Sequence, residues 1–208
     1  MSRENYHTRM QAPSGNAPLI FALHGTGGDE HQFFAFAQGL VPGAGVISPR
    51  GDVSEMGAAR FFRRTGEGVY DMDDLARATA KMAAFVEDWK TAFPGSPAYA
   101  FGYSNGANIL AAVMMARPDL FARVGLMHPL IPWDPAPVPA LASTRILITA
   151  GERDPIGPLP RTKALADWAH AQGARVRLVT HEGGHELRPE EAVALQEEFA
   201  QAPQPIGA

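Results

Sequence analysis

The chain has no cysteine among its 208 residues, so disulfides, a thiolate nucleophile and thiolate metal ligands are excluded from the start. It also lacks any apolar run approaching the roughly 18 residues that a membrane-spanning helix needs. The opening MSRENYHTRMQAPSG has no apolar signal-peptide core, so a cytoplasmic protein without membrane insertion is expected. A dominant charge of one sign is missing too. Lys and Arg number 18 against 22 Asp and Glu, giving a net charge of -4 with no long run of either sign. That balance excludes a nucleic-acid footprint and a polybasic membrane patch, and leaves small neutral or weakly charged molecules as the expected partners. Internal repeats and low-complexity tracts are absent as well.

What the chain does have is 46% hydrophobic residues, enough for one sizeable core. A single domain over 1–208 is expected, with 1–17 as an N-terminal arm carrying a weak edge strand near 6–10, and 201–208 as a tail. Short apolar runs at 18–25, 45–51, 98–104, 123–131, 145–151 and 175–181 read as strands. Most are apolar almost throughout, the pattern of strands buried on both faces of a parallel sheet. Between them lie helical patterns. From Asp71, the residues Met72, Leu75, Met82, Val86 and Trp89 form one stripe, with Thr79 filling the remaining step. Residues 106–116 are apolar nearly all round and stop before Pro118, 160–172 ends at Gly173, and 189–200 opens on Pro189. This alternation predicts an α/β domain whose central sheet, mostly parallel and of about seven strands, carries helices on both faces. The stretches 54–68 and 128–140 read as loop insertions.

Four segments carry chemistry. GYSNG, residues 102–106, matches G-x-S-x-G at the end of a strand and directly before a helix, the setting in which a serine Oγ stands exposed on a sharp turn. Asp154, in AGERDP after a later strand, is the candidate acid; Glu152 competes but sits less well in the loop. His185, behind Gly183-Gly184, is the candidate base, since His181 is still close to its strand. The order Ser104, Asp154, His185 is that of a strand-borne serine nucleophile, its acid and its histidine. LHGTGGDE, residues 23–30, supplies glycines whose backbone N–H groups can face an oxyanion, with a helix expected near Asp29. It lacks the spacing of the phosphate-binding glycine motifs. The letters H-E-G-G-H at 181–185 match a zinc motif that requires a helix, but they follow a strand and contain two glycines. No metal and no cofactor are expected.

Taken together, these segments resemble the α/β-hydrolase superfamily, and within it the small phospholipase/carboxylesterase family. HGTGGDE together with SPRGDVSEMGAARFFRRTGEGVYDMDDL resembles the bacterial carboxylesterase branch that includes the hydroquinone-inducible hydrolases, over residues 19 to about 195. The resemblance implies a single-domain hydrolase fold with little or no cap, and a serine esterase forming an acyl-enzyme. It makes Ser104, Asp154 and His185 the triad, with the N–H groups of Thr26 and Asn105 as the oxyanion hole. The thioesterase branch usually has a leucine and a glutamine where this chain has Thr26 and Asn105, so long-chain protein deacylation is not implied. Thioesterase or lysophospholipase activity and a non-catalytic ligand-binding role on the same fold are the alternatives. Phe61, Phe62 and Arg63, with Arg64, are expected at one side of the pocket as an aromatic wall and an anion-attracting rim, or as a pinned loop. Leu130 and Trp133 are expected at the other. With some 13 residues, several of them proline, between the strand ending near Ile131 and the one starting at Arg145, the pocket should be open and suited to small soluble esters. An exposed edge strand or apolar helix would support a homodimer.

Overall fold

Strand β2 (Leu19–Leu23) is buried at every position, as are β3 (Gly45–Pro49) and β9 (Arg123–Met127). Such strands need cover on both faces, and the computed structural model, which describes residues 5–201, provides it. The remaining strands of the main sheet are β1 (Thr8–Gln11), β8 (Ala98–Tyr103), β10 (Arg145–Gly151) and β11 (Arg175–His181). The seven lie in the order β1-β3-β2-β8-β9-β10-β11. Only β1 runs antiparallel to its neighbour; all other pairs are parallel. The predicted strands and mixed, mostly parallel sheet are thus observed, with the edge strand shifted to 8–11. Of the expected tail, only Gln201 lies within the described residues. No helix among the described residues is long and apolar enough to cross a membrane.

Alternation along each strand divides the core. Leu19, Phe21 and Leu23 face one apolar layer, with α2 (Met72–Ala92), α3 (Asn105–Ala116) and α4 (Leu159–Ala171) packed over it. Ile20 and Ala22 face the other, covered by α1 (Phe34–Gln38) and α5 (Pro189–Ala200). Phe21, Phe85 and Phe101 are fully buried, and truncating one such side chain to alanine costs about 3–5 kcal/mol. Helix α3 is buried along ten of its twelve residues, consistent with a sequence that is apolar nearly all round. Asp71 caps α2 by accepting the Asp74 N–H, and Met72, placed in the first turn, is exposed instead of facing the sheet.

Two expectations need correction. The helix anticipated near Asp29 begins only at Phe34, because the Asp29 carboxylate accepts the His31 N–H and holds 29–33 as turns. The stretch 54–68 is not a plain loop. It contributes to two antiparallel hairpins, β4 (Val53–Glu55) with β5 (Ala58–Arg60), and β6 (Arg64–Gly66) with β7 (Val69–Tyr70).

Strand order switches sides between β2 and β8, which are parallel neighbours in the sheet but far apart in sequence: β3 lies on one side of β2, and β8 to β11 lie on the other. Loops leaving neighbouring strands on either side of such a switch point diverge and leave a crevice at the carboxyl edge. Here Leu23 pairs with Gly102, so the HGTGG loop and the serine turn leave the sheet side by side. His128, Asp154 and His185 follow β9, β10 and β11 along the same edge.

Candidate active site

Ser104 sits between β8 and α3 at φ 52 and ψ -116, a backbone region that non-glycine residues seldom occupy. Its N–H donates to the Met127 carbonyl at 2.9 Å, and the Ser104 carbonyl accepts the Asn108 N–H at 2.9 Å, so both chain directions are tied down. The two flanking glycines permit the turn. A Cβ on Gly102 would strike the Gly106 carbonyl group, and one on Gly106 would strike the carbonyls of Leu23 and His24. Any side chain at either position would force β2, β8 and α3 apart.

The structure brings the three predicted polar side chains into one line. His185 Nε2 lies 2.9 Å from Ser104 Oγ, and His185 Nδ1 lies 2.7 Å from Asp154 Oδ2. The other Asp154 oxygen accepts the N–H groups of Ile156 (2.8 Å) and Gly157 (2.9 Å). Burial by itself would raise the Asp154 pKa, but these bonds, with those from His128 and His185, hold it below the usual carboxylate range. Glu152, the competing carboxylate, is exposed. The Tyr103 hydroxyl donates to the His185 carbonyl at 2.5 Å and fastens the histidine loop to the serine strand. Burial first, then the Asp154, Glu191 and Glu186 charges, push the Tyr103 pKa up to about 12, so it stays a phenol donor.

The HGTGG loop is held from three directions. His24 is buried, with Nδ1 2.7 Å from the Gly25 carbonyl and Nε2 accepting the Gly51 N–H at 2.8 Å; burial lowers its pKa and keeps it neutral. Gln32 accepts the Gly25 N–H, and the Gly27 N–H donates to the Ala59 carbonyl in β5. Arg60, also in β5 and only 4% exposed, donates from Nη1 to Thr26 Oγ1 at 2.7 Å. Asn105 is buried beside the serine, its Oδ1 accepting the Phe61 N–H at 2.8 Å. As the first residue of α3, it presents an N–H without an intrahelical acceptor.

A cleft of about 310 Å³ opens over Ser104, lined by Thr26, Arg60, Arg64, Tyr70, Asn108 and Leu130 among others. Its floor is a closed hydrogen-bond ring. Asn108 Nδ2 donates to Tyr70 Oη, Tyr70 donates to the Leu130 carbonyl, and the Leu130 N–H donates to Asn108 Oδ1. Leu130 and Arg64 therefore line this cleft, but Phe61, Phe62, Arg63 and Trp133 do not. Phe61 and Phe62 are fully buried beneath the hairpins, Phe61 against His24 and Phe62 against Tyr70. Arg63 points away and pairs with Asp71 and Asp74. Trp133 packs behind Tyr70 and lines a separate apolar groove of about 730 Å³, formed with α2 and α3 and lined by neither serine nor histidine. The basic groups at the cleft are Arg64 and, in place of Arg63, Arg60, both paired with Glu55.

Two groups of side chains approach metal-ligand spacing: His128, Asp154 and His185, and His128, His181 and Glu191. Mutual hydrogen bonds already account for the atoms of both. His181 Nδ1 accepts the Gly183 N–H at 3.0 Å, which leaves Nε2 as the protonated nitrogen facing Glu191 at 3.3 Å. The H-E-G-G-H stretch is not helical, and its two histidines face different partners, Glu191 and Ser104.

A parallel sheet with its crevice at a switch point, and a serine on a strand-to-helix turn within reach of a histidine, define a class. The chain belongs to the α/β-hydrolase superfamily, close to the carboxylesterase and MhqD-like bacterial hydrolases. It is 33% identical over 198 residues to MhqD of Bacillus subtilis (strain 168), a hydrolase by name, spanning 94% of this chain and 98% of that one. The crystal structure of Atu2452 from Agrobacterium tumefaciens superposes with a TM-score of 0.91 at 54% identity, covering 95% of this chain and 97% of the other. The Bacillus cereus carboxylesterase superposes with a TM-score of 0.85 at 30% identity, covering 93% of each chain. No protein-family model matches the chain.

Proposed function

We propose that the protein is a serine hydrolase of small carboxylic esters, working through Ser104, His185 and Asp154 and an acyl-enzyme. The observation that carries this reading is the unbroken line from Ser104 Oγ through His185 to Asp154, at 2.9 and 2.7 Å, mounted on a strained serine turn that opens into a cleft. Strain of this kind persists where the surrounding structure enforces it and clusters at reactive sites.

In the proposed reaction Ser104 Oγ attacks the ester carbonyl carbon while its proton passes to His185 Nε2. Asp154 fixes the imidazole with Nδ1–H toward itself and offsets the positive charge that develops. The carbonyl oxygen, now anionic, is held by the N–H groups of Thr26 and Asn105. One such donor contributes about 2.7–4 kcal/mol to transition-state stabilisation. Collapse breaks the bond to the alcohol oxygen, which takes the proton from His185 and leaves. Water then attacks the acyl-serine by the same route and releases the carboxylic acid. A cleft of about 310 Å³ fits small soluble esters better than long acyl chains.

The test is covalent labelling with a fluorophosphonate probe, together with turnover of a short p-nitrophenyl ester. Wild type should be labelled. Ser104→Ala should lose the label and roughly 10⁴-fold or more of kcat/KM. A labelled or fully active Ser104→Ala protein would sink the assignment, and an unlabelled, inactive wild type would favour ligand binding without catalysis.

A further inference from the structure

His128 has no part in the reaction just proposed, yet it is fully buried at the end of β9 with a positive φ of 52, as Ser104 has. Its Nδ1 lies 2.8 Å from Asp154 Oδ2, the oxygen that also meets His185. Its Nε2 lies 2.9 Å from Glu191 Oε1. Glu191, on α5, is completely buried and as fully partnered as Asp154. Oε1 also accepts from Thr149 Oγ1 at 2.5 Å, and Oε2 accepts from the Arg188 N–H at 2.7 Å and faces His181 Nε2 at 3.3 Å. Every oxygen of both carboxylates therefore meets donors, an arrangement suited to the ionised form of each. An imidazole with each nitrogen against a carboxylate oxygen must carry two protons, since a neutral ring would set a lone pair against an anion.

We infer that His128 is a buried imidazolium, held in that state by Glu191, and that it acts as a positioning residue that fixes the shared Asp154 oxygen beneath His185. This inference rests on the triad reading above. The groups facing His128 are Asp154, Glu191, His181, His185 and Tyr103, so two carboxylates are the only anions against it among the described residues. Burial would lower its pKa, but the bonds to Glu191 and Asp154 outweigh burial and raise it. The ion pair also has a direction. Its positive end, His128, faces Asp154 and His185 at 5.3 Å between rings, and its negative end, Glu191, lies behind. The pair thus sets a positive charge beside the ring that is to receive the Ser104 proton.

Long-range proton–nitrogen spectra of the wild-type protein, with His128 assigned through His128→Asn, test the charge state without any reference to activity. Both ring nitrogens of His128 should be protonated at neutral pH; a single-proton tautomer would overturn the inference. The pH profile tests the role. Glu191→Gln should let His128 become neutral and move the acid limb of kcat/KM to higher pH by roughly half to one unit, while Glu191→Asp restores part of the shift. A lower plateau or Tm with the limb unmoved would mean that Glu191 only supports the fold, and would overturn the positioning role. Should Glu191→Gln fail to fold, the wild-type spectra still decide. Failure of the triad reading would appear separately, as activity or labelling retained in Ser104→Ala.

Discussion

The two walls of the cleft are built differently. On the wall formed by the loops after β8 to β11, Asp154, His128 and Glu191 are all but inaccessible and each is saturated with partners. On the opposite wall, carried by the two hairpins, Arg64 is partly exposed and shares Glu55 with the better buried Arg60. A charge sealed in low dielectric costs far more to disturb than one that water can reach. The first wall is thus suited to fixing reacting atoms within tenths of an ångström. The second can change partners, and with them the substrates admitted, without loss of the fold.

The comparison breaks most severely at Asp154. In Asp154→Asn the amide must present either its oxygen or its NH₂ group where Oδ2 now receives both His128 and His185. If the oxygen stays with Ile156 and Gly157, the NH₂ group meets two imidazole N–H groups. His185 then takes the tautomer that points a hydrogen at Ser104 and cannot accept its proton. A loss of roughly 10³–10⁴-fold in kcat, measured on a short ester with protein shown folded by circular dichroism, is expected. A loss below about tenfold would remove Asp154 from the proposed triad.

Arg60 comes next, because it ties the hairpin wall to the HGTGG loop after β2. Its Nη1 holds Thr26 Oγ1 and its Nε faces the Phe62 carbonyl, so Arg60→Met keeps much of the packing but frees the loop bearing one proposed oxyanion donor. About a tenfold to hundredfold fall in kcat with little change in KM is expected from steady-state kinetics, less than outright loss of a donor would cost. A change confined to KM would place Arg60 in substrate binding instead.

The contrast between the walls also explains what could be read from the sequence. Ser104, Asp154 and His185 each lie within four residues of a strand's carboxyl end, and in a parallel sheet those ends fall on one edge, so their convergence was legible from motif and order. The hairpin wall was not. SEMGAARFFRRTGEG has no sustained alternation, and the side on which Arg60, Arg63 and Arg64 emerge depends on the pairing of β4 with β5 and of β6 with β7. The same pairing buries Phe61 and Phe62, which by composition alone could equally have formed an aromatic wall. The contact of His128 with Glu191 was invisible for another reason. It joins the end of β9 to α5 and exists only because α5 packs against β9 and β10. Tyr103, one residue before the serine, read as a strand residue, and nothing local indicated that its hydroxyl would reach the His185 carbonyl.

Arg64 gives the smallest expected effect and the finest test of the second wall. Its Nε pairs with both Glu55 oxygens at 2.9 and 3.1 Å, but its side chain is 29% exposed and Glu55 keeps Arg60 as a partner when it is removed. An exposed or half-exposed pair contributes at most about 1 kcal/mol, so Arg64→Ala should leave the thermal midpoint nearly unchanged. Arg64 also lines the cleft, and a long-stemmed cation there attracts a substrate carboxylate more than a neutral group. In a panel of esters matched in size, KM for those bearing a carboxylate should rise about threefold to fivefold, while neutral esters and kcat stay within about a factor of two. Equal effects on neutral and anionic esters would instead make Arg64 a structural partner of Glu55, leaving Arg60 as the only basic side chain on this wall available to select an anionic substrate.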